Sequence, residues 1–141
     1  MWALLLGAIA VPLVDLAVKW LGRERLARTP VRLGLLGELR LVESRAWIAR
    51  VAGPLPIVPM LAVWLAASGV LAIGTLVAGL SGWPAGLLVG GSLGHALESA
   101  LRGRVDDYVC LRFWPAFDLA DVALAAGAVG MLADVVLAVS R

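Results

Sequence analysis

Asp107 and Asp121 are two acids whose spacing could support hydrolysis of an amide bond. Residues 102–108, RGRVDDY, lead out of one apolar stretch and back toward the next, so the intervening loop is long enough to bring Asp107 opposite Asp121. Two carboxylates that meet in a low-dielectric site cannot both stay ionised, and they share a proton. One could then deprotonate a water while the other polarises a carbonyl.

Further ionisable residues accompany these two acids in the apolar stretches. Each costs about 2.5 to 3.5 kcal/mol on membrane-insertion scales and therefore needs a partner or a task. Asp15 and Lys19 are one helical turn apart with the acid first, which favours an intrahelical ion pair. Asp118 and Asp121 are at i, i+3 spacing, so their simplest roles are an N-cap and an acid that compensates the helix dipole.

His95 and Glu98 permit a rival chemistry. They share a helix face and, with Asp107, Asp118 and Asp121, could form an oxygen-rich site for a divalent cation. The spacing matches no known metal motif, and the simpler interpretation is a neutral His95 bonded to Glu98. We therefore predict no metal and no cofactor.

Three arginines and the single cysteine could support other functions near the same acids. Arg102, Arg104 and Arg112 would suit an anionic or diphosphate-bearing lipid, which is the substrate class of the metal-dependent alternative. Cys110 could act as a nucleophile with His95, but its flanks are apolar and such cysteines are usually inert. A single cysteine also excludes an internal disulfide.

Composition identifies the medium in which these groups lie. Of the 141 residues, 62% are hydrophobic and 16% are charged, with a mean hydropathy of +0.96. No soluble domain of this size could bury so much apolar surface, so lipid is the solvent. The basic residues are not interleaved with aromatic ones as nucleic-acid grooves require, which excludes a nucleic-acid partner.

Four apolar stretches are predicted to be membrane helices, at residues 2–21, 57–80, 83–101 and 118–139. Each approaches the roughly 20 residues that a bilayer core of about 30 Å demands. The first carries Asp15 and Lys19 where a signal peptide would be cleaved, so it is predicted to be retained. In the third, a glycine at every fourth position from Gly82 to Gly94 should let a neighbouring helix approach closely.

The polar section at residues 30–52 completes the predicted fold. Alternation at Leu39, Leu41 and Val31 predicts short strands on the membrane surface, and a second strand-like segment follows Gly103. We predict an all-α membrane protein, with a four-helix transmembrane bundle and a small interfacial β-platform. The chain is expected to be one domain, 1–141, and a monomer.

The order and spacing of these residues resemble those of the lipoprotein signal peptidases, or signal peptidase II, four-helix aspartic proteases of the bacterial inner membrane. Residues 91–108 read GSLGHALESALRGRVDDY and residues 114–121 read WPAFDLAD. The family reads close to Gly-Asn-x-x-Asp-Arg, Arg-x-Gly-x-Val-x-Asp-Phe and Phe-Asn-x-Ala-Asp. Asp15 and Lys19 match its Asp-Gln-x-x-Lys, and residues 31–50 fall where it has a β-cradle.

The resemblance implies catalytic roles for Asp107 and Asp121. It also implies a lipid-modified peptide or lipoprotein precursor as substrate, reached from membrane lipid. Supporting or substrate-binding positions are Asp15, Lys19, Ser44, His95, Glu98, Asp118 and Trp114, the last as an entrance residue. A non-enzymatic lipid or peptide binder that keeps the fold is the remaining alternative.

The chain departs from the family at positions around the two acids. His95 and Asp118 stand where the family has Asn, Ser44 replaces the cradle Asn, Leu16 replaces Gln, and Glu98-Ser99 replaces Asp-Arg. This pattern is typical of a divergent member.

Orientation is predicted in two opposite ways. The resemblance implies a multi-pass inner-membrane protein with its site outside. However, all 12 Lys and Arg residues except Arg141 lie on the side of the two long polar segments, which the positive-inside rule assigns to the cytoplasm.

Overall fold

The computed structural model describes residues 1–44 and 57–140, with Ser44 and Ile57 described by their backbone alone. The described part is mostly helical. In chain order its elements are α1 (Trp2–Arg28), β1 (Val31–Arg32), β2 (Gly37–Ser44), α2 (Ile57–Val77), α3 (Gly82–Arg102), β3 (Val105–Leu111) and α4 (Leu119–Val139). Helix α3 contacts each of the other three helices and is therefore the centre of the bundle.

Within residues 1–44 and 57–140, three helices are long and apolar enough to cross a membrane: Trp2–Arg28, Val58–Val77 and Leu119–Val139. The membrane fold class is thereby confirmed, but a count of four membrane-crossing helices is not. Helix α3 is the exception, because it carries several glycines together with His95, Glu98 and Arg102. Its neighbours cover much of its surface, so it needs less lipid-facing apolar area than they do.

Helix α1 continues well past residue 21, where its apolar stretch ends. Arg25 and Arg28 lie in its last turn, where positive charge compensates the helix dipole. The apolar pattern marks the part that lipid can cover, whereas the hydrogen-bonded helix runs on into polar surroundings. The extension carries Arg23, which becomes important at the site.

The glycine stripe of α3 packs against α1, as the sequence predicts. A Cβ atom on Gly86 would lie 2.7 Å from the Leu4 carbonyl oxygen, and one on Gly90 would overlap the Gly7 carbonyl oxygen. Side chains at these positions would therefore push the two helix backbones apart. Gly91 has the same relation to α4, since its Cβ would lie 2.7 Å from the Ala120 carbonyl oxygen.

A three-stranded antiparallel sheet, in the order β1-β2-β3, forms the β-platform. The predicted strand after Gly103 is confirmed as β3, and it pairs with β2 so that Val42 lies opposite Asp107. Residues 45–52 of the predicted platform lie outside the described residues. Gly103 ends α3 with a positive φ of 68°, which glycine adopts at little cost, and so turns the chain into β3.

Substituting two glycines of α3 tests the packing of α1 against α3. We expect Gly90→Ala to destabilise the protein by about 1–3 kcal/mol, because the new methyl group meets backbone that cannot yield. Gly94→Ala is the matched control, since its Cβ would have its nearest neighbour, the Ala120 Cβ, at 3.6 Å. The free energy of unfolding of both variants can be measured in mixed detergent micelles. Equal values for the two variants would contradict the close contact of α1 with α3 at Gly90.

Candidate active site

Lys19 lies at the centre of a buried cluster of acids. Its Nζ atom is 2.8 Å from Asp15 Oδ2 and 2.7 Å from Glu98 Oε2, and it also donates to Asp118. All four side chains have no solvent exposure. The cluster joins α1, α3 and the residue that precedes α4, so one ammonium group fixes three segments of the chain.

The number of N–H donors on the Lys19 ammonium equals the number of carboxylates around it. An ammonium has three N–H donors, and three carboxylates lie within ion-pair distance of Lys19. Asp15 completes this set as an ion pair with a distance of 2.8 Å between Nζ and Oδ2. Buried charges are tolerated when they are paired in this way, and removing one partner is costly.

Arginines from α1 and α3 form a second layer around the cluster. Arg23 donates to Asp106 Oδ2 at 2.9 Å and to Glu98 Oε1 at 3.0 Å, and Arg102 also donates to Asp106. The sequence analysis did not predict the role of Arg23. The spacing could have indicated it, because residues 15, 19 and 23 follow one another at i, i+4 intervals and so lie on one helix face.

Asp118 and Asp121 form a reciprocal capping box at the start of α4. The Asp121 backbone N–H donates to Asp118 Oδ1 at 2.8 Å, and the Asp118 backbone N–H donates to Asp121 Oδ2 at 3.2 Å. Both roles suggested by the i, i+3 spacing are therefore filled, one by each acid.

His95 reaches this capping box rather than Glu98. Its Nε2 atom lies 3.2 Å from Asp118 Oδ2 and 3.6 Å from Asp121 Oδ1. The interpretation that bonded His95 to Glu98 is therefore wrong, because Glu98 takes its partners from Lys19, Arg23 and Arg102. Spacing along one helix showed that the two side chains share a face but not that stronger partners on α1 and α4 compete for them.

Asp118 is held in its ionised form. Burial alone would raise the pKa of the Asp118 carboxyl, but hydrogen bonds from His95 and Lys19 outweigh burial and lower the pKa from 3.8 to about 2. Its oxygens accept from Lys19, His95 and the Asp121 backbone. This acid is therefore ill suited to exchange protons during a reaction.

Strand β3 brings Asp107 to the same end of the bundle. Val109 and Phe117 exchange backbone hydrogen bonds of 2.9 and 3.1 Å, which ties β3 to the residue just before Asp118. The Asp107 residue is buried, at 8% exposure, whereas the Asp121 side chain is 39% exposed. Beside Asp107, burial and the charges of Asp15 and Asp118 raise the pKa of the Tyr108 hydroxyl and keep it neutral.

Two predicted positions are described by exposure or by backbone alone. Trp114 is 68% exposed in the turn after β3, next to the still more exposed Phe113. Ser44 ends β2 with its backbone opposite Val105, and its side chain lies outside the described part. The remaining predicted residues, Asp15, Lys19, His95, Glu98 and Asp118, meet in one network that extends to Asp121.

Two groups of side chains have the spacing of a cation site within the described ranges: Asp15 with Glu98 and Asp118, and His95 with Asp118 and Asp121. The Lys19 ammonium already lies among the first three carboxylates. In the second group, Asp118 gives its oxygens to other donors. The donor sets therefore fit ion pairing within the protein better than they fit a metal ion.

Comparison with known proteins gives a consistent result. The family model of Signal peptidase (SPase) II matches residues 7–137. The lipoprotein signal peptidase of Nitrobacter hamburgensis is 31% identical over 137 residues, which cover 91% of the chain and 73% of that protein. The lipoprotein signal peptidase of Xylella fastidiosa (strain 9a5c) is 42% identical over 55 residues, and there the match spans 33% of the relative's length.

Solved structures share the fold. A structure described as a bacterial membrane enzyme, obtained by the in meso method at 2.3 Å resolution, has a TM-score of 0.78. The match covers 99% of this chain and 91% of that chain. Because the sequence identity is 15%, the match supports a shared fold and nothing more.

Removing the Lys19 ammonium should destabilise the bundle strongly. We expect Lys19→Met to cost about 3–5 kcal/mol, because three buried carboxylates lose their shared cation. Arg40→Met is the control, since Arg40 and Glu38 form an exposed pair whose loss should cost at most about 1 kcal/mol. Equal unfolding free energies for the two variants in mixed micelles would refute the central role of Lys19.

The pKa of Asp118 predicts acid sensitivity. Because its folded pKa is about 2 and its ordinary value is 3.8, its contribution to stability is complete above about pH 4 and disappears as the pH falls toward 2. Asp118→Asn lacks this titration. The stability gap between the wild type and Asp118→Asn should therefore narrow by about 2 kcal/mol between pH 6 and pH 2.5. A gap that is constant across this range would count against the assignment.

Proposed function

The chain belongs to the signal peptidase II family, and we propose that it is a membrane aspartic peptidase in which Asp107 and Asp121 hydrolyse an amide bond. Its substrate class is a lipid-modified peptide or lipoprotein precursor. The family match covers residues 7–137 and therefore includes both acids.

The observation that carries this proposal is the unequal state of the two neighbouring acids, Asp118 and Asp121. Asp118 is fully buried and saturated with donors, whereas Asp121 is partly exposed and can be reached by water. Catalysis requires a carboxylate that can exchange protons with a water, and of these two only Asp121 meets this requirement. The pairing of Val109 with Phe117 holds β3, and with it Asp107, near the start of α4, which supports Asp107 as the second acid.

The proposed reaction needs one ionised and one protonated acid. The ionised acid takes a proton from a water, whose oxygen attacks the amide carbonyl while the protonated acid donates to the carbonyl oxygen. As the tetrahedral intermediate collapses, the carbon–nitrogen bond breaks and the leaving amine receives the proton that the first acid took from the water. The carbonyl re-forms and returns its proton to the second acid. No covalent enzyme intermediate forms.

The membrane helices favour a lipid-linked substrate. Three helices of the described part can span a bilayer, and their outer faces expose large apolar side chains to lipid. A peptide anchored by acyl chains can diffuse in the bilayer and approach the polar end of the bundle from the side. We accordingly assign the protein to the bacterial inner membrane as a multi-pass protein that acts as a monomer.

Isosteric replacement of each acid tests the dyad. We expect Asp107→Asn and Asp121→Asn each to lower kcat by about 10²- to 10⁴-fold, because an amide can neither accept the water proton nor carry the shared one. Asp134→Asn is the matched control, since Asp134 lies near the far end of α4, where it accepts a hydrogen bond from the Ser81 backbone. The assay follows cleavage of a diacylglyceryl-cysteine peptide by the purified full chain with mass spectrometry.

The same assay separates the alternative functions. An Asp107→Asn variant with the activity of the wild type would remove the dyad. Loss of wild-type activity in a chelator would support the metal-dependent alternative, whereas a dyad is unaffected. Tight binding of the lipopeptide without any turnover would identify a binder that keeps the fold.

A further inference from the structure

His95 is the single histidine of the chain, and its ring lies against both acids of the capping box. Its Nε2 atom is 3.2 and 3.3 Å from the two Asp118 oxygens and 3.6 Å from Asp121 Oδ1. The side chain is 27% exposed, so protons from solvent can reach it.

Asp118 determines which ring nitrogen of His95 carries a proton. An ionised carboxylate offers lone pairs only, so Nε2 must bear the hydrogen in the bond to Asp118. Asp118 itself cannot turn away, because Lys19 and the Asp121 backbone N–H hold it. The imidazole is thus fixed with its Nε2–H group toward the capping box.

Asp121 then has an N–H donor near each of its oxygens. The Asp118 backbone N–H donates to Oδ2, and His95 Nε2, whose N–H group donates to Asp118, lies 3.6 Å from Oδ1. Both groups favour the ionised form of Asp121, because an N–H group attracts a carboxylate more strongly than it attracts a protonated carboxyl. If Asp121 shares a proton with Asp107, the arrangement favours its placement on Asp107.

We propose that His95 is a positioning residue whose Nε2–H group keeps Asp121 in the ionised form that takes the proton from water, while Asp107 carries the shared proton. This inference rests on the proposed function and deepens it, because it assigns the two roles within the dyad.

A charged imidazole should hold Asp121 more strongly than a neutral one, so hydrolysis should depend on the titration of His95. The groups that act on its charge are Asp118 and Asp121 at the start of α4 and Lys19 on α1. The elements packed against α3, and α3 itself, also carry Asp15, Glu98, Asp106, Asp107 and Tyr108. The nearest described contact with α2 is uncharged, a hydrogen bond from Trp64 to Ser92.

Two variants separate positioning from packing. Gln presents an amide N–H near the place of Nε2 but does not titrate, whereas Leu fills space without a donor. We expect His95→Leu to lower kcat by about 10- to 100-fold with little change in KM. His95→Gln should retain kcat to within about threefold at neutral pH, and its kcat profile should lack the His95 ionisation that we expect for the wild type.

Three results would each overturn the inference: a His95→Leu variant with the kcat of the wild type, equal impairment of His95→Leu and His95→Gln, or identical pH profiles for the wild type and His95→Gln. If the wild type cleaves, Asp121→Asn does not, and His95→Leu matches the wild type, this inference alone fails. If the wild type cleaves no lipopeptide, the proposed function fails and this inference fails with it.

A spectroscopic measurement tests the placement without any substrate. Because His95 is the single histidine, ¹⁵N-histidine labelling of the full chain in detergent gives unambiguous ring signals. We expect Nε2 to be protonated, and the titration midpoint to move to lower pH in Asp121→Asn, which removes one of the two facing carboxylates. An unchanged midpoint would contradict the contact between His95 and Asp121.

Discussion

The ion pairing of Lys19 with three buried carboxylates is the constraint on which the rest of the site depends. The four groups come from α1, α3 and the residue that caps α4, so the cluster can exist only when these segments meet. Glycines on α3 allow this meeting, because larger side chains would hold the helix backbones apart before the ammonium reached Glu98 and Asp118. Close helix packing and buried charge thus depend on each other, as is usual where polar groups lie within apolar bundles.

Because of this constraint, the two acids at the start of α4 have different roles. Asp118 neutralises Lys19, caps α4 and receives His95, which leaves it ionised and fixed. Asp121 shares the capping box yet keeps an oxygen toward His95 and a partly exposed side chain. One acid of the pair is therefore structural, and the other is the one that we propose to act with Asp107. The departures from the family pattern at His95, Glu98 and Asp118 fall on members of one connected network, in which each side chain contacts another or a shared lysine.

Local patterns in the sequence predicted those features that depend on neighbouring residues. The pairing of Asp15 with Lys19, the capping residues of α4, the glycine stripe and the strand after Gly103 all follow from spacings of a few residues. Contacts across the fold were not predictable in this way. Two partners of Lys19, Glu98 on α3 and Asp118 just before α4, lie 79 and 99 residues along the chain. His95 contacts Asp118 rather than Glu98, its neighbour on the helix. The extension of α1 to Arg28 was also missed, because apolarity marks the lipid boundary rather than the helix end.

We propose that Asp107 and Asp121 act on one water, and a crystal structure of the full chain in a lipid phase would show whether they can. We expect a single water within about 3.2 Å of a carboxylate oxygen of each acid, the distance from which a proton can be transferred. Two carboxylates too far apart to share one water would contradict it, as would an Asp107 carboxylate turned away from the start of α4.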